Sequence, residues 1–258
     1  MGSTTINGPE LWQSDLPVPQ AHFNKYDRGF VGVFAAPELT GATRLAASAC
    51  SRVGAGLVSV IAQTRQDIYR TCLPADLMVQ DQTPDKVDTL LGGSGGMLTV
   101  HHNEMLAMQD CRGRIFDADG LPKEERFNQL DANCVLTPHR GEFERIFGPV
   151  VRDSESAARR AAQASGAIVV LKSHQTVIAT PDGRAVTNQH ASAYLAKAGT
   201  GDVLAGMITG LIAQGMDPFV ASCAAVWMHG EAGLRIGPGL IAGDIVDAIP
   251  DILKDLIT

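Results

Sequence analysis

No run of apolar residues in this 258-residue chain is long enough to cross a bilayer, which argues against a membrane protein. The N-terminus lacks the basic-then-apolar pattern of a secretory signal. Met1-Gly-Ser reads as an expression remnant, and a cytoplasmic protein is expected. The five cysteines (Cys50, Cys72, Cys111, Cys134 and Cys223) are odd in number, scattered and never in a C-x-x-C pair. That excludes a disulfide framework or a zinc site as the organising feature, and buried thiols are expected instead. Lys and Arg form no cluster and the formal net charge is −7, so a nucleic-acid footprint is not indicated. No G-x-G-x-x-G occurs and no lysine follows a glycine, which argues against a dinucleotide-binding Rossmann domain and a Walker A loop. An anionic ligand would therefore be held by local amides and a few chosen cations.

What is present is an α/β pattern. Short β-rich runs alternate with helical ones, and 45% hydrophobic with 19% charged residues is an ordinary globular balance. Strands are expected near Val31–Phe34, Leu57–Ala62, Leu77–Gln80, Val87–Leu91, Arg114–Phe116, Cys134–Leu136 and Ile168–Leu171. A hairpin follows, Val177–Ala179 and Ala185–Thr187 about the turn Pro181-Asp-Gly183. Helices fit Thr40–Val53, Met97–Gln109, Glu142–Phe147, Ser154–Ala164, Val203–Gln214 and Pro218–Leu234, with Ser154 as an N-cap and Gly166 as a stop. His101 and His102 would lie on an exposed helix start. The organisation expected is a polar, proline-containing lead over residues 1–20 and a single domain over 21–258.

The richest segment runs from Tyr194 to Gly215 and contains Gly199-Thr-Gly-Asp202. Gly199 and Gly201 carry no side chain to obstruct a ligand, and the helix expected from near Asp202 directs unpaired N–H groups at the same space, where phosphate should sit. Asp202, near the positive end of the helix dipole, should stay ionised and can take a proton from a hydroxyl. Leu204, Met207, Ile208, Leu211 and Ile212 mark the buried side. Gly206 and Gly210 suit close approach to a sheet, Gly215 ends the helix, and Asp217-Pro218 starts the next. Taken alone, the four-residue turn reads equally well as a tight turn with an N-capping aspartate.

Ligands of such folds collect where strands end and helices begin. Gly92-Gly-Ser-Gly-Gly96 lets backbone approach a flat or phosphorylated ligand, or is simply a flexible turn. Asp117 and Asp119 suit magnesium or ligand hydroxyls, or cap the turn that follows. Thr137-Pro138 aims His139 past a strand end, beside Glu142. Lys172 ends the apolar run Ile168–Leu171 and should emerge at the same sheet edge as Asp202, either facing a nucleotide phosphate or snorkelling to solvent.

In order, these junctions resemble the ADP- or ATP-dependent NAD(P)H-hydrate dehydratases, the carbohydrate-kinase-like domain of the YjeF family, from about Lys25 to the end. The strongest segments are Leu136–Glu142, Val169–Lys172, Leu195–Gly215 and His229-Gly230. Weaker support comes from Tyr26–Gly29, Thr40–Ala42 with Arg44–Ala47, and Gly54–Val58.

The resemblance implies a ribokinase-like fold, a central mostly parallel sheet with helices on both faces, commonly in a homotetramer. It also implies repair of hydrated NADH or NADPH (NADHX or NADPHX): the ring hydroxyl is phosphorylated by a nucleotide, and phosphate then leaves. Asp202 would be the base, and the amides of Gly199 and Gly201 would stabilise the transferring phosphoryl group. Ala42, a glycine of the 92–96 run such as Gly96, His139 and Asp202 would meet the substrate. Lys172, Ser173, His174, Gln175, Thr176 and Gly201 would meet ADP or ATP. Mg²⁺ would travel with the nucleotide phosphates, with no protein residue singled out as its ligand. Three segments depart from the family pattern. Phe34-Ala-Ala-Pro37 replaces a pair of glycines, Gly92-Gly-Ser-Gly-Gly96 replaces Gly-Pro-Gly-Leu-Gly, and Lys172-Ser173 replaces Lys-Gly. The family's N-terminal epimerase domain is not accommodated, so either a separate epimerase acts on the same metabolite or the chain was trimmed. Two other readings stay open: a ribokinase-like small-molecule kinase, and a non-catalytic nucleotide-binding subunit.

Overall fold

The computed structural model describes residues 5–257. Ten strands form one sheet: β1 (Thr5–Ile6), β2 (Phe30–Phe34), β3 (Leu57–Ile61), β4 (Met78–Gln80), β5 (Thr89–Gly92), β6 (Gly113–Phe116), β7 (Cys134–Leu136), β8 (Ile168–Leu171), β9 (Thr176–Ala179) and β10 (Ala185–Asn188). Their order is β1-β10-β9-β8-β7-β6-β5-β2-β3-β4. From β8 through β4 every pairing is parallel, whereas β9 runs antiparallel to β8 and β10, and β1 lies parallel to β10. The eight helices described are α1 (Thr40–Arg52), α2 (Gln66–Cys72), α3 (Thr99–Ala107), α4 (Arg140–Phe147), α5 (Ser154–Ser165), α6 (Thr200–Ala213), α7 (Pro218–Ile236) and α8 (Ala242–Ile257).

Strands buried on both faces need apolar residues pointing both ways. Val31, Val33, Val60, Ile115, Val135 and Val170 join the core covered by α1, α6, α7 and α8. Phe34, Ile61, Leu90, Phe116, Leu136 and Val169 join the opposite core, covered by α3, α4 and α5. This is the mostly parallel, two-faced α/β architecture expected. α6 is apolar nearly all round because it is buried nearly all round, lodged between the sheet, α1 and α7.

Several local expectations change. Gly206 and Gly210 approach a helix, not the sheet: a methyl on Gly206 would lie 2.2 Å from the Ala46 carbonyl oxygen, and one on Gly210 would lie 2.8 Å from that of Cys50. Asp153, not Ser154, caps α5, because its carboxylate reaches the Ser156 N–H at 2.7 Å. The helix start is exposed at Thr99 and Val100 as expected, but His101 is fully buried and stacked on Phe34, and His102 is half-buried. Cys72 is exposed, while the other four thiols are buried as expected. Two helices were not anticipated. α2 is too short to show a period, and α8 contains Pro250, although Ile245, Val246, Ile249 and Ile252 already traced its buried stripe. Within the stretch read as a lead, Thr5–Ile6 pair with β10 and Trp12 is fully buried, its indole N–H donating to Asn7 at 3.2 Å. Met1-Gly-Ser lies outside the described residues.

Candidate active site

The strand order reverses between β2 and β5, and the carboxyl ends of β5, β6, β7 and β8 form one continuous edge. The residues just beyond them are the glycine run, Asp117, Thr137–His139 and Lys172. Parallel register makes the gathering unavoidable, since Phe116 pairs with both Gly92 and Leu136, and Leu136 pairs with Val169.

Asp117 is the hub. Its Oδ1 accepts from Lys172 Nζ at 2.9 Å and from Thr137 Oγ1 at 2.7 Å, and its Oδ2 accepts from Ser94 Oγ at 3.1 Å. Asp117 and Ser94 are buried, so these bonds replace the water both would otherwise bind. The turn that follows is strained at Ala118, whose φ of 43° is left-handed. It is backed by Gly93, where any side chain would strike the Asp117 carbonyl at 1.8 Å.

α6 faces this hub. Gly199, with φ 91°, caps it, and the helix begins at Thr200, three residues before the expected Val203, so Asp202 sits inside its first turn. The first-turn amides have no intrahelical acceptors. A methyl on Gly201 would lie 3.3 Å from Lys172 Nζ, so the ammonium stands beside the helix start. Asp202 was expected to stay ionised at the positive end of the helix, and near neutral pH it does, but with a narrower margin than the dipole alone would give. Burial, then the charge of Asp117, push its pKa up to about 6, against the opposing pull of Ser94 and Lys172. Desolvation and a like charge outweigh a dipole contribution of well under a few kcal/mol. A carboxylate titrating there is still mostly ionised at neutral pH and is a stronger base than an ordinary aspartate.

A cavity of about 590 Å³ opens from this point and is walled by His139, Lys172, Ser173, His174, Thr176, Thr200 and Gly201 together with the 190–197 segment. Most of the expected nucleotide residues therefore share one chamber. Gln175 does not join them; it is exposed and lines a neighbouring surface depression. Ser173 Oγ holds the loop closed by donating to the Gln175 carbonyl at 2.7 Å. His139 caps α4: its Nδ1 accepts from the Glu142 N–H at 3.2 Å, while Glu142 accepts from the His139 N–H at 2.8 Å. The ring is mostly exposed at the chamber wall. Ala42 and Gly96 are not among the residues that wall this chamber. A methyl on Gly95 would touch Ala42 at 2.7 Å, whereas one on Gly96 would meet nothing closer than Pro37 at 3.4 Å, which leaves that face of the glycine run open.

Sequence reasoning did not find the hub itself, because Ser94, Thr137 and Asp117 lie on three separate junctions. It quoted His229 with Gly230 but gave it no role; its Nε2 donates to the Thr200 carbonyl at 2.9 Å. Burial lowers the pKa of His229 to about 4, so the ring is neutral and braces the start of α6. Gly230 was quoted only with its neighbour; it lets the 190–197 wall close, since a side chain there would strike the His190 carbonyl at 1.8 Å.

A family model described as NAD(P)H-hydrate dehydratase matches residues 33–250. The chain belongs to that family. Over 168 residues it is 36% identical to the ADP-dependent (S)-NAD(P)H-hydrate dehydratase of Neisseria meningitidis, covering 61% of this chain and 56% of that protein. Over 280 residues it is 33% identical to the bifunctional NAD(P)H-hydrate repair enzyme Nnr of Moorella thermoacetica, covering 95% and 53%. The chain thus spans about half the length of the curated relatives it matches. Among solved structures, the ADP/ATP-dependent NAD(P)H-hydrate dehydratase of Bacillus subtilis, co-crystallised with ATP and Mg²⁺, is 27% identical with a TM-score of 0.86, covering 99% of this chain and all of that one. A ribokinase of Arabidopsis thaliana, 11% identical with a TM-score of 0.59, shares the fold alone, so the fold is ribokinase-like.

Proposed function

We propose that this member of the NAD(P)H-hydrate dehydratase family repairs hydrated NADH or NADPH with ADP or ATP as phosphoryl donor. The observation that carries the reading is Asp202: a carboxylate with its pKa raised to about 6 in the first turn of α6, next in the chain to Gly201, which stands beside Lys172 and lines a chamber large enough for a nucleotide. Asp202 takes the proton of the ring hydroxyl as that oxygen bonds to the terminal phosphorus, and the bond from that phosphorus to the nucleotide breaks. The Gly199–Gly201 amides and Lys172 meet the charge on the transferring group. Phosphate then leaves with the C–O electron pair, the neighbouring carbon loses a proton, and the ring double bond returns. Ala42, Gly96 and His139 are assigned to the hydrated ring side, and Lys172, Ser173, His174 and Thr176 to the nucleotide.

Mg²⁺ is implied as the companion of the phosphates. The residues fit a nucleotide-borne ion better than a protein-held one: both Asp117 oxygens already accept protein donors, and among the described residues no group of three His, Cys, Asp or Glu side chains converges. When bound, the ion neutralises phosphate charge. A homotetramer and a cytoplasmic location complete the proposal. Among the described residues no helix is long and apolar enough to cross a membrane.

A kinase would share the base and the glycine turn and stop at the phosphoester. The relatives' activities favour the dehydratase over that reading and over a binding subunit. The test incubates the protein with hydrated NADH or NADPH, Mg²⁺ and ADP or ATP, following reduced-nicotinamide absorbance and inorganic phosphate. Recovery of both signals, abolished in Asp202→Asn, is expected. A stable phosphoester, or no turnover with any combination, sinks the dehydratase.

A further inference from the structure

One end of the chamber is gripped by a ladder of side chains that the proposed reaction does not use. Trp227, Glu231 and Arg235 follow one another at i, i+4 spacing on α7, so their side chains run along one face of that helix. His190, at the start of the 190–197 wall, is held by two of them. Its ring lies flat on Trp227, with centroids 4.4 Å and planes 9° apart, and its Nε2 meets Glu231 Oε2 at 2.7 Å. Arg235 Nε donates to Glu231 Oε1 at 2.7 Å, and its Nη1 donates to Asp255 of α8 at 2.8 Å. Burial works against the charged form of Glu231, yet the hydrogen bonds and charges of Arg235 and His190 hold its carboxyl below the usual range. A carboxylate only accepts, so His190 Nε2 carries the proton. The backbone is fixed too: Asn188 Nδ2 donates to the His190 carbonyl at 2.8 Å, and Gly230 lies against that same carbonyl.

His190 nevertheless lines the chamber, with 29% of its side chain exposed. Since Trp227 covers one ring face and Glu231 takes Nε2, the ring meets the chamber with its other face and the Nδ1 edge. Its place in the sheet sets a distance. Leu171 of β8, Val177 of β9 and Thr187 of β10 lie in one row, and Lys172 and His190 leave the sheet just beyond the two ends of that row. Two strand spacings put those points about 10 Å apart. Such a span suits a nucleoside diphosphate with its phosphates at Lys172 and Gly201 and its base at His190. Among the described residues that line the chamber none is acidic, in a chain of formal net charge −7. We propose that His190 receives the nucleobase, a purine stacking on the ring face that Trp227 leaves free, with Glu231 as the positioning residue that holds the imidazole in place. Stacking favours a large flat base whatever its edge, so this platform selects nucleotides over bare phosphates rather than one purine over another.

The inference deepens the proposed function and rests on the chamber being the nucleotide site, but its primary test needs no hydrate. Titration calorimetry compares ADP with inorganic tripolyphosphate, each with Mg²⁺, in the unaltered protein, His190→Ala and His190→Phe. Loss of the platform should raise the Kd for ADP roughly tenfold in His190→Ala. His190→Phe, which keeps a flat ring, should recover most of that, and tripolyphosphate should behave alike in all three proteins. With hydrate present, KM for ADP should rise in His190→Ala as its Kd does, while KM for the hydrate holds. In the unaltered protein the carbon-bound imidazole protons of His190, assigned by their absence from His190→Phe, should shift upfield with ADP and not with tripolyphosphate. That NMR measurement decides the matter if His190→Ala does not fold. An unchanged ADP Kd in folded His190→Ala, an equal loss for tripolyphosphate, or imidazole protons that ADP leaves in place overturns the platform. A platform that passes these tests in a protein turning over no hydrate would sustain the inference and overturn the dehydratase reading instead.

Discussion

Lys172 Nζ lies 2.9 Å from Asp117 Oδ1, joining the end of β8 to the end of β6 across the intervening β7. With side chains only 18% and 4% exposed, the pair is nearly desolvated and neither partner can be removed cheaply. The same ammonium stands at the start of α6, so one cation both neutralises the hub and faces the first-turn amides of that helix.

Lys172→Met should therefore lose stability by roughly 3 kcal/mol, the cost of leaving a buried carboxylate unpaired. The second change Asp117→Asn should recover much of it. Chemical denaturation of the two single variants and the double variant checks the coupling, and nucleotide-induced stabilisation should fall in both variants lacking the lysine.

Asp202→Asn should abolish turnover and yet stabilise the fold. A carboxylate whose pKa is raised to about 6 binds its proton more tightly folded than unfolded, so it costs stability once pH exceeds its unfolded value near 3.8, and the cost levels off above about 6. At pH 7 the asparagine variant should gain up to about 3 kcal/mol, and at pH 3 nothing. Melting curves across that range read both limits.

His229 works with the opposite sign. Its pKa is lowered from 6.5 to about 4, so as pH falls below 6.5 the unfolded chain takes a proton the folded one refuses. Stability should decline through that window by as much as about 3 kcal/mol from this residue. His229→Gln, which keeps a donor for the Thr200 carbonyl, should flatten the pH dependence of the melting temperature between 6.5 and 4.

Gly206→Ala should loosen α1 from α6, since the added methyl would sit 2.2 Å from a backbone oxygen that has no rotamer to change. A loss of about 1–3 kcal/mol is expected from such overpacking. Activity should fall as well, because α1 carries Ala42 and packs beside the start of α6. Gly41→Ala, where nothing lies within 4 Å, is the control.

Much of this was legible before folding. Short apolar runs at Val31–Phe34 and Ile168–Leu171 marked central strands, and the Gly199–Asp202 turn marked the helix start that faces the chamber. Those signals are local, carried by residues a few positions apart. Short α2 lacks room for a period, the stripe of α8 was obscured by Pro250, and Trp12 gave no hint that the stretch ahead of the domain enters the core. The failed expectations were of another kind. His101 sits among polar neighbours in sequence and is buried because Phe34, far away in the chain, stacks on it.

The chain alone determined the α/β class, the glycine turn with its carboxylate, and the order of junctions that marks the family. Only the tertiary structure decided the chemistry of those residues. Parallel register brought Ser94, Asp117, Thr137 and Lys172 from four junctions to one point. Burial there raised the pKa of Asp202 from that of an ordinary acid at a helix start to about 6. Acidity depends on solvent and neighbouring charge, which a sequence specifies only once it has folded.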